Sequence, residues 1–102
     1  PIVNRIMSNM LIMSRDADKN ALEGFQFKMN KEAGTLLLSK TVVEQMTKGG
    51  SYPSSISKIY GIKISIDDNC QGVALVRVDA PNNPILETYS NNQYNTIVRA
   101  DR

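Results

Sequence analysis

The sequence predicts a single α+β domain over residues 1–102, built on a mainly antiparallel β-sheet of about six to seven strands with one or two short helices. The chain has 102 residues, which is the length of one domain. Segments that alternate apolar and polar residues, typical of half-buried strands, recur along it. Turn-forming glycine, proline and asparagine residues separate most of these segments. We therefore expect one sheet that ends in a C-terminal four-strand meander.

Three strands are predicted in the N-terminal part of the chain. Residues 7–14 fit both a helical and a strand pattern, and we favour a strand because no N-cap residue precedes the segment. In residues 25–29, apolar and polar side chains alternate clearly. Residues 30–34 are turn formers, so residues 25–29 and 35–39 are predicted to pair as a hairpin.

Two short helices are predicted in the middle of the chain. Thr41 and Glu44 have the spacing of a capping box, which predicts a helix over residues 42–48. Pro53 fits the first position of another helix, and Gly61 would end it.

The last forty residues or so predict the meander. Its four strands are expected at residues 62–66, 73–79, 85–90 and 93–99. The polar residues 67–72 would connect the first two strands as a hairpin. Asn91 and Asn92 would form the turn between the last two, since asparagine tolerates a positive φ.

The composition excludes several classes of function. The chain has no histidine, which rules out imidazole acid-base catalysis and histidine-ligated metal sites, and its one cysteine, Cys70, cannot form an intrachain disulfide. An unpaired thiol fits a reducing compartment, so we expect a cytoplasmic, intracellular protein. Apolar runs are far shorter than the ~20 residues that cross a bilayer, which predicts no membrane insertion. We expect no enzymatic activity, cofactor or metal.

A calcium loop is suggested by Asp16, Asp18 and Asn20, which match the first ligand positions of an EF-hand. The pattern then fails, because Ala21 occupies the glycine position and Phe27 occupies the position of the bidentate glutamate. A polar loop without an ion is the expectation.

The first two residues, Pro1 and Ile2, resemble the start of the tautomerase superfamily. The resemblance implies an N-terminal proline amine that acts as a base, at the beginning of a strand. A proline left after removal of an initiator methionine accounts for the same residues, and we favour that interpretation because the motif is so short.

The sequence Asp67-Asp68-Asn69-Cys70 groups carboxylates, an amide and a thiol in one predicted turn. A reactive thiolate needs positive neighbours, and the charges nearest to this thiol are negative. The segment therefore predicts an ordinary hairpin turn.

The distribution of charge suggests a nucleic-acid surface. The net charge is +2, and residues 28–63 are mildly basic while the C-terminal region is mildly acidic. If the protein binds nucleic acid, five lysines should converge on one face: Lys28, Lys40, Lys48, Lys58 and Lys63.

A second candidate surface is the end of the meander. Residues 93–99 contain no lysine and no charge before Arg99, so a strand there would be an unprotected sheet edge. A partner strand could add to it, and the contacting side chains would be Tyr89, Tyr94, Thr96 and Val98. Met7, Met10 and Met13 form a soft apolar stripe, which we assign to the core.

The function expected from these patterns is a small non-enzymatic module that binds a protein partner or assembles into a homo-oligomer. The alternative is nucleic-acid or nucleotide binding by the mildly basic central region. Size and the content of asparagine and isoleucine are typical of a phage or mobile-element protein, such as an inhibitor of host machinery or a virion component.

Overall fold

The computed structural model describes residues 1–17, 22–48, 57–78 and 87–100. Within these residues it contains three α-helices and a six-stranded mixed sheet, which confirms the α+β class. The helices are α1 (Ile2–Ser14), α2 (Lys31–Leu37) and α3 (Lys40–Thr47). The strands are β1 (Phe25–Met29), β2 (Lys58–Ile59), β3 (Ile62–Ile66), β4 (Val73–Arg77), β5 (Glu87–Ser90) and β6 (Ile97–Ala100), and a 3-10 turn (Leu22–Gly24) precedes β1.

The strand order is β2-β3-β1-β4-β5-β6. β1 runs parallel to β3, and every other neighbouring pair is antiparallel. A parallel pair needs a crossover connection, and the chain between β1 and β3 includes α2 and α3. None of the described helices has the length and apolar character that crossing a membrane requires.

The strand predicted over residues 7–14 is wrong, because this segment belongs to α1. Ile6, Met10 and Met13 are fully buried and lie one helical turn apart, on the face that covers the sheet. The neighbouring Asn9 is buried too, and its Nδ2 donates to the carbonyl oxygen of Tyr94 at 2.6 Å. The helical period therefore matches the buried face. Met10 and Met13 are core residues as predicted, whereas Met7 is only half-buried and lies outside the core cluster.

The hairpin predicted for residues 25–39 is also wrong, although its first strand is confirmed as β1. The second predicted strand lies in α2 and the residues that follow it. Asn30 caps this helix, since its Oδ1 accepts the backbone N–H of Ala33 at 2.8 Å. Asn30, predicted to lie in a turn, is thus the N-cap residue of α2.

The helix predicted over residues 42–48 is confirmed as α3, but it begins earlier. Ser39 is its N-cap, and the Oγ of Ser39 accepts the backbone N–H of Val42 at 3.3 Å. Thr41, the predicted cap, lies inside the first turn.

The helix predicted from Pro53 to Gly61 is wrong over its described residues, 57–61. Residues 49–56 lie outside the described part of the chain, and the next residues, Lys58–Ile59, form β2. Tyr60 and Gly61 then make the tight turn into β3, with φ values of 55° and 78°.

The four-strand meander is reduced to three strands, β4, β5 and β6. β3 and β4 do not form the predicted hairpin, because β1 lies between them and Phe27 pairs with both Ile64 and Leu75. The last strand is shorter than expected, since residues 93–96 form a loop in which Tyr94 has a φ of 56°.

Candidate functional site

All described helices lie on one face of the sheet. The core cluster joins side chains of α1 and α2 to alternate residues of β1, β3 and β4, and Met46 of α3 packs against it. In β1, for example, Phe25, Phe27 and Met29 are buried in this cluster, while Gln26 and Lys28 point the other way. We call the second face the open face, because no described helix packs on it.

The register of the strands arranges the open face into two rows, since residues that are paired across strands share a face. The first row crosses the sheet from β3 to β6 and contains Ser65, Lys28, Ala74, Tyr89 and Val98. The second row contains Lys58, Lys63, Gln26 and Val76, and the register continues it to the positions of Glu87 and Ala100. The open face is therefore basic over β1 to β3, and Ala74, Tyr89 and Val98 form an apolar part of it over β4 to β6.

The open face brings together three of the five predicted lysines, Lys28, Lys58 and Lys63. Lys58 and Lys63 stand directly opposite each other in the β2–β3 pair, and neither forms an ion pair with a described carboxylate. Like charges in this position repel unless an anion lies between them. Lys40 and Lys48 belong to the α3 segment on the other side of the sheet, where Lys40 lies 4.0 Å from Glu44.

The predicted partner-binding residues separate in the structure. Tyr89 and Val98 are neighbours on the open face, where they are 40% and 41% exposed. Thr96 lies in the loop before β6, and its carbonyl accepts the N–H of Asn91 at 3.1 Å.

Tyr94 is buried in the same loop and does not share a face with Tyr89. Burial raises the pKa of the Tyr94 phenol, and the nearby negative groups of Glu32 and Cys70 add to the effect. Tyr94 is therefore a packing residue that connects the loop to α1 through Asn9.

The outer edge of β6 is the end of the described sheet. The backbone N–H of Asn91 donates to the carbonyl of Thr96. In an antiparallel pair every second residue directs its N–H and C=O groups toward the neighbouring strand. Two positions after Thr96, the main-chain groups of Val98 therefore also point toward β5. The N–H and C=O groups of Ile97 and Arg99 consequently point outward.

Arg99 is the charged residue of β6, and its side chain is directed away from this edge. Its Nε donates to Oδ2 of Asp16 at 2.8 Å, on the helix-covered face. The buried Thr88 donates to the same oxygen at 3.2 Å. These contacts connect the end of α1 to β5 and β6, and they leave the outer edge without a charge that would repel a partner strand.

A trough crosses the open face over Ala74. Depressions of about 430 Å³ and about 310 Å³ meet there, and both are lined by Asn69, Cys70 and Ala74. Lys28 stands on one side and Tyr89 on the other, since each is adjacent to Ala74 in the first row. We refer to this feature as the Ala74 trough.

Amide side chains form the rim of the larger depression, and they come from the loops before β4 and before β6. Asn69, Gln71, Asn92 and Gln93 are exposed, and their amide groups have no hydrogen-bond partner among the described residues. Sequence reasoning missed this site. The available signals were two loops rich in asparagine and glutamine and one small residue, Ala74, in a strand of larger apolar ones.

Gly72 allows the two loops to approach each other. A Cβ atom at this position would lie 2.1 Å from the carbonyl oxygen of Ser90. The adjacent Val73 donates its N–H to the Oγ of Ser90 at 3.1 Å, and that hydroxyl donates to the carbonyl of Val73. The amides are thus held on a backbone that is closely packed at this end of the sheet.

The other sequence motifs are not assembled into sites. Asp16 is engaged by Thr88 and Arg99, and the rest of the suggested calcium loop, residues 18–21, lies outside the described part. Within the described residues, no group of three or more acidic or cysteine side chains is placed to hold a metal ion. Pro1 is exposed and precedes a helix. The tautomerase resemblance implied that it would begin a strand, which is wrong.

The segment Asp67-Asp68-Asn69-Cys70 forms a turn, as predicted, but it is not a hairpin turn, because β1 lies between β3 and β4. Oδ1 of Asp67 accepts the N–H of Asn69 at 3.0 Å. The single S–H of Cys70 lies within hydrogen-bond distance of two carbonyl oxygens, that of Gly72 at 3.2 Å and that of Lys28 at 3.4 Å.

Comparisons of this chain with family models, curated proteins and solved structures find no match.

Proposed function

We propose that this protein is an assembly module that pairs with a second copy of itself through the outer edge of β6. The observation that carries the proposal is the position of Ile97–Ala100 at the end of the described sheet, with outward main-chain groups at Ile97 and Arg99. Unpaired edge groups are used readily for strand addition.

The opposite edge is protected by comparison. β2 has 2 residues, and one of them is Lys58, which stands beside Lys63. Short strands and lysine are common ways to block edge pairing. Strand addition is therefore blocked at the β2 edge and open at the β6 edge, as the proposal requires.

The sequence of β6 favours one antiparallel register. When Val98 lies opposite Val98 of the second copy, Ile97 lies opposite Arg99, and both residues of each such pair have outward main-chain groups. This register makes about four main-chain hydrogen bonds between the copies. It also avoids placing one Arg99 opposite the other, which would be unfavourable. The interface is isologous, as in most homodimers.

Replacing Arg99 with proline tests this edge. The variant removes one outward N–H from each copy, so the dimer loses two hydrogen bonds. Each of these bonds contributes about 0.5–1.5 kcal/mol. We expect the dimer dissociation constant to rise about 5- to 150-fold, measured by analytical ultracentrifugation. Thr96, by contrast, lies in the loop with its carbonyl directed inward, so a proline there would not probe the edge.

Arg99→Ala is the matched control, because it also loses the contact with Asp16 but keeps the N–H. It should weaken the dimer much less than Arg99→Pro. Equal effects of both variants would contradict pairing through the main chain. A wild-type protein that stays monomeric at about 1 mM, a concentration at which an association free energy of only about 4 kcal/mol already produces dimer, would contradict self-assembly itself.

The proposed module acts inside the cell and catalyses no reaction. An origin in a phage or mobile element stays a prediction from the sequence.

A second candidate function is nucleic-acid binding by the open face. The observation that favours it is the cluster of Lys28, Lys58 and Lys63 on the same face as the exposed Tyr89. Lysines that follow a backbone, combined with an aromatic ring that can stack on a base, are the usual elements of single-strand binding. Glu23 lies beside Lys58 and Lys63 without an ion pair to either, so their charge stays available for phosphate.

Substituting glutamine for Lys63 tests this candidate. Loss of one phosphate contact should weaken binding of a single-stranded oligonucleotide and lower the slope of log K against log salt by about 0.7. Fluorescence anisotropy at about 50 and 200 mM salt measures both effects. Lys48→Gln, on the other side of the sheet, should change neither. If the two variants behave alike, the open face is not the binding surface.

A further inference from the structure

We infer that the Ala74 trough is a nucleotide-binding site in which the base stacks on Tyr89 and the phosphate contacts Lys28. This inference rests on the second candidate function and adds to it the position and chemistry of base recognition. The ligand is a base with an attached phosphate, supplied either as a free nucleotide or as part of a single strand.

The geometry of the first row fits a flat ligand. Lys28 and Tyr89 are two strand spacings apart, so their Cα atoms are separated by about 10 Å. Between them stands Ala74, whose small side chain is 5% exposed and forms the bottom of the trough between the two longer side chains. A base lying on this floor would contact the ring of Tyr89, which is 40% exposed. Stacking on aromatic side chains is the main contact that single-strand binding proteins make with bases.

The amides at the rim fit the edge of a base. The side chains of Asn69, Gln71, Asn92 and Gln93 each offer a donor and an acceptor, which is the combination that base edges present. Asn91 is not included, because its side chain is already bonded to Asn95. The site thus has several uncommitted neutral groups beside one aromatic ring.

The charge of the trough distinguishes a nucleotide from a neutral sugar. Lys28 forms no ion pair with a described carboxylate, and Lys63 extends the positive charge along the same face. Asp67 also lines the smaller depression, where its Oδ1 accepts the N–H of Asn69, and the cationic Arg77 lines the same depression. A neutral sugar would use the ring and the amides and would leave Lys28 without a role.

The experiment is a titration of the isotope-labelled protein by NMR, with adenosine, adenosine 5′-monophosphate and single-stranded oligonucleotides of about eight bases as probes. We expect shifts at residues 69–74 and 89–93. We also expect the monophosphate to bind more tightly than adenosine. If the mononucleotide binds as tightly as the oligonucleotide, the ligand is a free nucleotide. If the oligonucleotide binds more tightly, the ligand is a single strand.

The decisive variant is Tyr89→Leu, with Tyr60→Leu as its control because Tyr60 is also 40% exposed and lies in the turn between β2 and β3. Loss of stacking should weaken oligonucleotide binding about 5- to 150-fold for Tyr89→Leu, while Tyr60→Leu should change it little. Lys28→Gln is a second variant, at a half-buried position of the open face. It should abolish the advantage of the monophosphate over adenosine.

Two results would overturn the inference. If Tyr89→Leu binds as the wild type does while Lys63→Gln still lowers the salt dependence, the open face binds nucleic acid but the trough does not recognise a base. If no probe binds even at about 50 mM salt, the second candidate function fails together with the site.

Discussion

Replacing Phe27 with alanine is expected to lower the free energy of unfolding by about 3–5 kcal/mol. Phe27 is 0% exposed and lies in β1, a central strand that pairs with β3 on one side and β4 on the other. Its neighbours in the register are Ile64 and Leu75, so truncation opens a cavity in the middle of the core. Since domains of this size have stabilities of about 5–15 kcal/mol, the loss is a large fraction of the total.

Chemical denaturation of the wild type and the variant measures this effect. The control is Leu11→Ala on α1, where the side chain is 42% exposed and alanine is an equally good helix former. It should change the free energy of unfolding by no more than about 0.5 kcal/mol. A similar cost for both variants would mean that the core is not centred on β1.

Replacing Gly72 with alanine is expected to cost roughly 3 kcal/mol of stability. The added Cβ would lie 2.1 Å from the carbonyl oxygen of Ser90 and 2.7 Å from that of Asn91. Both atoms belong to backbone, so the strain cannot be relieved by rotating a side chain. The loop before β4 must move away from the end of β5, and the amides that rim the Ala74 trough must separate.

Gly34→Ala is the matched control for this steric argument. Its Cβ would lie 2.6 Å from Cδ1 of Ile66, the flexible end of a side chain. Gly34 is also within α2, where alanine is more favourable by about 1 kcal/mol. Thermal unfolding should therefore show a much smaller loss than for Gly72→Ala. Comparable losses would show that the backbone contact at Gly72 is not the cause.

The two proposed surfaces are compatible in one assembly. Antiparallel pairing of β6 with its copy continues the sheet, and the two-fold axis is perpendicular to it. Both open faces then lie on the same side, with Val98 and Tyr89 near the axis and the lysines at the outer ends. A single strand could cross such a face without a change in either monomer.

Local patterns were sufficient for several elements. β1 and β3 have the predicted bounds because alternating apolar residues can form only one buried face when they are extended. The segment of α3 was predicted from its N-terminal signals, although Ser39 and not Thr41 is the cap. An edge at one or both of the last two strands was also predicted, and among the described strands β6 is that edge, because it pairs only with β5.

The site depended on contacts that no local pattern contains. Asn69 and Asn92 are 23 positions apart in the sequence, and they line one depression because Gly72 permits two loops to touch. Tyr94 looked like a surface aromatic residue, but its carbonyl is bonded to Asn9, 85 positions away. Its burial follows from where α1 packs.

The sequence by itself determined the class of fold, the strands with a clear period of two and the absence of histidine chemistry. Only the tertiary structure decided that residues 7–14 are helical and that β1 inserts between β3 and β4. The physical reason is that an amphipathic segment with two possible periods takes the one that buries its apolar side chains against the available partner. In this protein the partner is a face of the sheet, and the order of strands in that sheet is set by side-chain packing between residues distant in the chain.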